Sequence, residues 1–283
     1  VKVYVGAQYP LLHDFKSHLH EQLLFGPPID YVGAYASPQP GPNDLVPPPD
    51  GFAQHTKPAH EDAVDFIIKT IHRYPHEVTI LEIAPPTNLA LAIRKDPTIV
   101  PLIKQIVTMA GQMFVAGNSY LDNAEFNWWF DPEATKIVLR AEIPHFIIPL
   151  DCTNTLPLTK DIFLQITEHQ PQTIITQLYQ ETFAPFFGPG PPPFIPFIFD
   201  TTALAFLVDP SLATDVRDLW VDVNTTFDQN YGRSIVYSSD PFPTIGLLQK
   251  SKVIFRLDNA RFYAFYVDLL TRPVPVKRGP PQD

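Results

Sequence analysis

This sequence of 283 residues has a single cysteine, no long apolar run and no cluster of basic residues apart from a short one near its end. The single Cys152 excludes an internal disulfide and a cysteine metal cluster, and a buried, inert thiol is its simplest interpretation. No apolar run approaches the roughly 20 residues that span a membrane. Acidic residues outnumber basic ones by 30 to 20, and no basic stripe exists beyond Lys277 and Arg278. The sequence therefore predicts neither a nucleic-acid nor a membrane partner.

The amino terminus also lacks a recognisable targeting signal. It reads VKVYVGAQYP and does not follow the basic-then-apolar layout of a secretory signal peptide. Because the chain begins with Val1 and not with methionine, the sequence indicates a processed, truncated or incompletely observed protein. Cytoplasmic and secreted locations therefore both stay open.

Proline, in contrast, is abundant, with 33 residues against a usual share of about 5%. The prolines concentrate in residues 26–58 and 185–196, and in a tail, 274–283, which we expect to be flexible. Long loops in compact domains are usually functional lids or partly disordered, whereas surface decoration is the plainer alternative for the first segment. The sequence leaves that choice open.

Hydrophobic periodicity predicts helices that alternate with strands. Residues 61–73 carry Val64, Ile67 and Ile71 on one helical face, and residues 78–84 form a short apolar run typical of a covered strand. The same patterns predict helices at 88–95 with Thr87 as N-cap, 97–104, 132–141, 160–169, 172–183, 201–209 and 259–270, and strands at 105–109, 144–150, 219–224, 234–238 and 252–258. The alternation predicts one α/β domain, residues 1–283, around a mainly parallel sheet flanked by helices.

Polar side chains collect in the loops that follow the predicted strands. In a parallel α/β sheet the ligand lies at the carboxyl ends of the strands. The loops at these ends contain an oxygen-rich set: Thr108, Asn118, Glu125, Asn127, Asp151 and Asp200. Such groups suit a hard cation such as Ca²⁺, and paired acid and amide groups suit the vicinal hydroxyls of a sugar. Each residue alone is equally compatible with a cap or a turn.

The pair Glu125 and Asn127 precedes two tryptophans in the stretch NAEFNWWFDPEATKIVL, residues 123–139. If this stretch is a strand edge, both side chains point to the same side. The tryptophans and the DPEA motif that follow are more simply a core and a helix start.

Two histidine patterns give a weaker metal signal. His18, His20 and Glu21 have the chemistry of ligands, but no partner cluster follows them, and a solvated helix face is the simpler interpretation. His72 and His76 have helical spacing, but an intervening proline breaks that geometry.

Several segments together resemble one known family. They are APPTNLALAI (84–93), IVTMAGQMFVAGN (106–118), NAEFNWWFDPEATKIVL (123–139), PLDCT (149–153), the motifs within 207–236, and VYVGAQYPLL near the start. In order and spacing they are similar to the central motifs of the inosine-uridine-preferring nucleoside hydrolases. The resemblance implies that family's fold, a tightly held Ca²⁺, and hydrolysis of the N-glycosidic bond of ribonucleosides to base and ribose.

Residue by residue, the resemblance implies that Asn118, Glu125 and Asn127 bind the ribose hydroxyls. It assigns the backbone carbonyl of Thr108 and the carboxylate of Asp200 to calcium. Hydrogen bonds to the hydroxyls can strengthen as the departing base leaves an oxocarbenium-like sugar, and a bound calcium makes a water easier to deprotonate. The resemblance also implies a homo-oligomer.

Two features of the family are missing from this sequence. An aspartate cluster of the form D-x-D-x-x-x-D-D does not occur, so no catalytic residue is identified in this chain and the general base is expected upstream of Val1. Phe199 stands where many members have a histidine that assists the leaving base. Three explanations stay open: an active enzyme completed by a separate amino-terminal fragment, a binding protein that keeps the sugar clamp, or a structural or assembly protein.

Overall fold

The computed structural model describes residues 2–36, 57–188, 196–239 and 248–273. Most of both Pro-rich loops and the whole tail, 274–283, lie outside these residues. The expectations of a lid, of surface decoration and of a flexible tail therefore stay predictions.

A six-stranded mixed sheet organises the described chain. Its strands are β1 (Thr79–Glu82), β2 (Gln105–Met109), β3 (His145–Ile148), β4 (Ala213–Val223), β5 (Ser234–Tyr237) and β6 (Lys250–Leu257), in the spatial order β1-β2-β3-β6-β4-β5. The pairs β1–β2, β2–β3 and β3–β6 are parallel, whereas β4 runs antiparallel to both β5 and β6. The mainly parallel α/β sheet expected from the sequence is confirmed.

Helices cover both faces of this sheet. They are α1 (Phe15–Phe25), α2 (Ala63–Arg73), α3 (Thr87–Lys95), α4 (Phe126–Phe130), α5 (Pro132–Leu139), α6 (Leu150–Thr153), α7 (Lys160–Thr167), α8 (Ile174–Phe183), α9 (Asp200–Val208) and α10 (Asn259–Thr271), with 3-10 turns at Gly33–Ala36, Pro97–Leu102, Ala184–Phe186 and Pro210–Leu212. Most begin at a side-chain cap; the Asp62 carboxylate, for example, accepts a hydrogen bond from the backbone of Val64 at 2.8 Å. In the part of the chain described, no helix is long and apolar enough to cross a membrane.

Alternate residues of the central strands supply two cores, one on each face. Val107, Ile148 and Ile254 are buried in a cluster that includes residues of α7, α9 and α10. Their neighbour Ile106 points the other way, into a cluster with residues of α2, α3 and α5. This period of two is what buried strands impose. The site described below lies where β2 ends, between these layers.

Two local predictions are wrong for identifiable reasons. Thr87 does not cap α3 but is its first residue, and its hydroxyl donates to the buried Asp131 carboxylate at 2.5 Å. Residues 97–104 do not form an α-helix but a 3-10 turn, Pro97–Leu102, which contains an internal proline that cannot donate a helical hydrogen bond.

The solvated helix face predicted around His18 is also wrong. In α1, His18 and Glu21 are 0% and 1% exposed, and only His20 of this group lies on the surface. The inward side of α1 therefore carries polar residues in place of the apolar stripe on which such predictions depend.

Candidate functional site

Glu125 lies at the amino terminus of α4 and not on a strand edge, so the strand geometry considered for it is wrong. Its carboxylate accepts hydrogen bonds from the backbone N–H groups of Asn127 at 2.9 Å and Trp128 at 3.2 Å. A third bond comes from the backbone of Gly111 at 2.9 Å. A buried acid therefore caps the short helix and joins it to the loop that follows β2.

The other two predicted sugar ligands converge on the same helix end. The Asn118 side-chain oxygen accepts a hydrogen bond from the backbone of Phe126 at 2.9 Å. Asn127 donates its amide to the carbonyl of Met109, the last residue of β2, at 3.0 Å. The structure thus brings Asn118, Glu125 and Asn127 together, each fixed in orientation by the backbone of α4 or β2.

Two further residues, Gln112 and Asp151, hold the loop that follows β2 in place. Gln112 accepts the backbone N–H of Glu125 on its side-chain oxygen at 3.0 Å. The Asp151 carboxylate, which was expected only among possible ligands or caps, accepts the backbone N–H groups of Met113 at 2.7 Å and Phe114 at 2.9 Å. Asp151 therefore acts as a loop cap, and Gln112 carried no sequence signal because it is a lone amide in a loop.

Thr108 uses its side chain within the sheet. Its hydroxyl lies 3.2 Å from Glu82 on β1 and 2.7 Å from His145 on β3. All three residues are buried on one face of the sheet. Burial raises the pKa of Glu82 to about 8, and the Glu125 charge adds to this, while the Thr108 hydrogen bond opposes it. Burial alone lowers the pKa of His145 to about 4. Only the main chain of Thr108 is left for a ligand.

Asp200 is the first residue of α9, and its carboxylate makes no hydrogen bond or ion pair with any residue in the described ranges. The residue reaches the surface, but desolvation by the protein atoms around its carboxylate raises its pKa. Burial also raises the pKa of Glu125 to about 7, an effect that its three backbone donors oppose and the Asp200 charge reinforces. The two carboxylates are therefore close enough to repel each other. Phe199, before Asp200, packs against the core and supplies no proton donor.

The donor types at this site fit a hard cation. Asp200 offers an unpaired carboxylate, Thr108 a carbonyl, and the nearby negative charges have no basic partner in the described chain. Oxygen donors and uncompensated charge are what Ca²⁺ requires, although it takes six to eight oxygens and these residues supply only some of them.

Comparison with known proteins agrees with the fold and with the motifs. The profile of the family described as inosine-uridine preferring nucleoside hydrolase matches residues 1–264. The chain therefore belongs to this family, as its motifs predicted.

Three individual proteins show how similar this chain is to other members of the family. The pyrimidine-specific ribonucleoside hydrolase RihB of Shigella flexneri serotype 5b is 28% identical over 206 residues, which cover 71% of this chain and 63% of that protein. The solved purine-preferring ribonucleoside hydrolase from Gardnerella vaginalis has a TM-score of 0.67 and 25% identity, covering 96% of this chain and 80% of that one. The solved inosine-uridine preferring enzyme from Bacillus anthracis has a TM-score of 0.65 and 28% identity, covering 77% and 67%. The chain thus spans less than two thirds of the curated relative.

Proposed function

We propose that this protein hydrolyses the N-glycosidic bond of ribonucleosides, releasing base and ribose, in a calcium-dependent reaction. The observation that carries the proposal is the convergence of Asn118, Glu125 and Asn127 at the amino terminus of α4. Membership of the nucleoside hydrolase family supports it. The substrate is a nucleoside, and ribose is the part that these three residues would hold.

The three residues offer complementary groups to a sugar. Glu125 accepts hydrogen bonds from hydroxyls, and the asparagine amides both donate and accept. Because their orientations are fixed by backbone contacts, little side-chain entropy is lost when ribose binds. Loss of the base makes the ribose oxocarbenium-like, so its hydroxyls become more acidic and their bonds to Glu125 strengthen in the transition state.

Asp200 and the Thr108 carbonyl would hold the calcium ion. When bound, the ion makes a water easier to deprotonate and so supplies the nucleophile. It would also relieve the mutual repulsion of Asp200 and Glu125, which raises the pKa of Glu125. Calcium should therefore bind more weakly as the pH falls, because protons compete for these carboxylates.

No residue of this sequence is assigned to the proton transfers of the reaction. No aspartate cluster of the family's form occurs in the sequence, so the general base is not named among its residues. Phe199 cannot protonate a leaving base, so the base would depart unaided or with another group's help. A second candidate is a nucleoside-binding or assembly protein without turnover.

Asp200 gives the cleanest test, because its side chain holds no other part of the described structure. We expect Asp200→Asn in the full-length protein to lose calcium binding, measured by calorimetry, and to lose hydrolysis of inosine and uridine. Asp161→Asn is the matched control, since Asp161 is an exposed acid in the first turn of α7. Unchanged calcium affinity and turnover in Asp200→Asn would contradict the metal assignment.

Glu125→Gln tests the sugar assignment and separates the two candidate functions. Loss of a charged hydrogen bond should lower kcat and raise KM together, with kcat/KM reduced about 10- to 100-fold. Nucleoside binding that is weakened by Glu125→Gln, without calcium dependence or turnover in wild type, would support the binding protein instead. The named substrates of the relatives include both pyrimidine and purine nucleosides, so both classes are assayed.

A homo-oligomer is also proposed, on the family resemblance alone.

A further inference from the structure

His13, His18 and Glu21 form a buried cluster away from the proposed sugar site. Their ligand atoms all lie within 4.8 Å of one another, and the residues are 0%, 0% and 1% exposed. His13 precedes α1, and the other two residues lie one helical turn apart within it. A mixed set of two imidazoles and one carboxylate is a common ligand set for divalent transition metals.

The distances within the cluster fit a tetrahedral metal. One oxygen of Glu21, Oε2, lies 3.1 Å from His13 Nε2 and 3.3 Å from His18 Nδ1. Zinc bonds to nitrogen and oxygen are about 2.0–2.2 Å long, so two ligands of a tetrahedral zinc are about 3.3–3.5 Å apart. Two of the three pairs of ligand atoms therefore lie near this separation, and the third pair lies within 4.8 Å.

The groups around the cluster are those that orient metal ligands. The second oxygen of Glu21 accepts the indole N–H of Trp129 at 3.3 Å. The remaining ring nitrogen of His18, Nε2, lies 2.8 Å from the Gln22 amide, whose oxygen and nitrogen can exchange places to accept a proton from the ring. Such outer contacts fix the ring orientation of metal-bound histidines.

A cluster of hydrogen bonds without a metal leaves two problems. The Glu21 carboxylate is buried among Tyr35, Trp129 and other aromatic rings, and no lysine or arginine of the described residues pairs with it. In addition, His13 Nδ1 is buried and has no hydrogen-bond partner within the described residues. A divalent cation resolves the first problem by balancing the charge of Glu21.

A small pocket borders the cluster at Glu21. Its lining includes Glu21, Tyr120, Trp129, Asp228 and Tyr231, and it has room for about one water molecule. One water completes a tetrahedral zinc site that has three protein ligands. Space for a single water is too little for a substrate and an oxygen molecule, which a catalytic iron with the same ligands would need.

We propose that His13 Nε2, His18 Nδ1 and Glu21 Oε2 bind a zinc ion. Because Trp129 belongs to α4, the ion ties α1 to the helix that carries Glu125 and Asn127. The site shares no residue with the proposed calcium and sugar ligands, so it stands whether or not the protein hydrolyses nucleosides.

The test is a zinc titration of chelator-treated full-length protein in excess Ca²⁺, followed by calorimetry. We expect one equivalent to bind in wild type and in Asp200→Asn, and affinity at least about tenfold weaker in His18→Gln and Glu21→Gln. His20→Gln is the control, because His20 lies on the same helix but faces solvent. Equal affinity in His18→Gln, Glu21→Gln and His20→Gln would overturn the proposal.

Cobalt gives a second readout that depends on the wild-type protein alone, should either variant fail to fold. We expect one equivalent of Co²⁺ to produce the intense visible absorption of a tetrahedral site and to quench tryptophan fluorescence, since Trp129 lies against Glu21. Zinc should reverse both signals. Absence of a stoichiometric cobalt signal in wild type would overturn the proposal as well.

Discussion

At the scale of single residues, the pair Tyr231 and Glu133 shows how a hydroxyl donor acts on the pKa of a half-buried acid. The Tyr231 hydroxyl lies 2.7 Å from one oxygen of Glu133 and 2.9 Å from the other. Burial raises the pKa of Glu133, and the tyrosine hydrogen bond opposes that rise. Because the folded state holds the proton more tightly than the unfolded state, this acid makes the protein less stable as the pH rises through its folded pKa.

Tyr231→Phe should therefore destabilise the protein in a pH-dependent way. Without the hydroxyl the folded pKa of Glu133 rises further, so the loss should be small at pH 4 and about 1–2 kcal/mol at pH 7.5. Urea unfolding of wild type and variant at both pH values measures it. Tyr263→Phe is the control, since its hydroxyl donates to the carbonyl of Pro157, which does not titrate. A loss independent of pH in Tyr231→Phe would show that Glu133 is not the group involved.

At the scale of elements, the short helix α4 depends on Gly111 in the loop before it. Gly111 has a φ of +78°, and its N–H donates to Glu125. A Cβ at this position would lie 2.8 Å from the ring of Trp128. Both the left-handed backbone and the close approach of the ring therefore require glycine.

Gly111→Ala should cost at least about 2 kcal/mol of stability and weaken nucleoside binding, because the ring of Trp128 and with it α4 must move. Gly26→Ala separates the two causes, since Gly26 also has a positive φ, +97°, but a Cβ there would meet nothing within 4 Å. Chemical unfolding and calorimetry with inosine measure both effects. If the two variants lose equal stability and bind nucleoside equally well, the contact with Trp128 has no role.

The elements differ in how well the sequence predicts them. Strand β2 was predicted at its observed bounds because its short run is rich in apolar and β-branched residues, which is a local property of the sequence. Helix α4 could not be predicted in this way, since five residues are too few for a helical period and its start is set by a contact between Glu125 and the distant Gly111. The burial of His18 and Glu21 was missed because polarity alone indicates exposure.

The candidate site was predictable only where motifs carried it. Asn118, Glu125 and Asn127 were singled out by the family resemblance, and the structure brings them together, although their roles stay predictions. Glu82 and Gln112 were missed because each is a single polar residue whose meaning depends on a partner far along the chain. Such partners follow from strand pairing and loop packing, which no short pattern encodes.

At the scale of the whole molecule, the shared strands make the two helical layers dependent on each other. Ile147 and Ile148 are neighbours on β3, yet one packs in the cluster that includes Trp128 and the other in the cluster that includes α10. If the helices on one face of the sheet come away, the strands lose half of their packing, and the core on the other face is weakened as well. This arrangement is consistent with the single domain expected over residues 1–283.

We therefore expect one cooperative unfolding transition. Circular dichroism, which follows all helices, and tryptophan fluorescence, which follows Trp128, Trp129 and Trp220, should give the same urea midpoint and slope. The metal content is fixed with chelator in both experiments, because bound ions shift the midpoint. Two separated transitions would contradict the dependence of the layers and the prediction of a single domain.

The contact that caps α4 from outside the helix also determines at which stage of folding the proposed sugar-binding groups take up their positions. A helix of five residues does not persist alone in water, and one contact that holds its start comes from Gly111, which follows β2 and is brought near by the completed sheet. The geometry around Glu125 should therefore be among the last to form during folding and among the first to be lost on opening. A peptide carrying residues 118–130 would inherit the sequence of the clamp but not its shape.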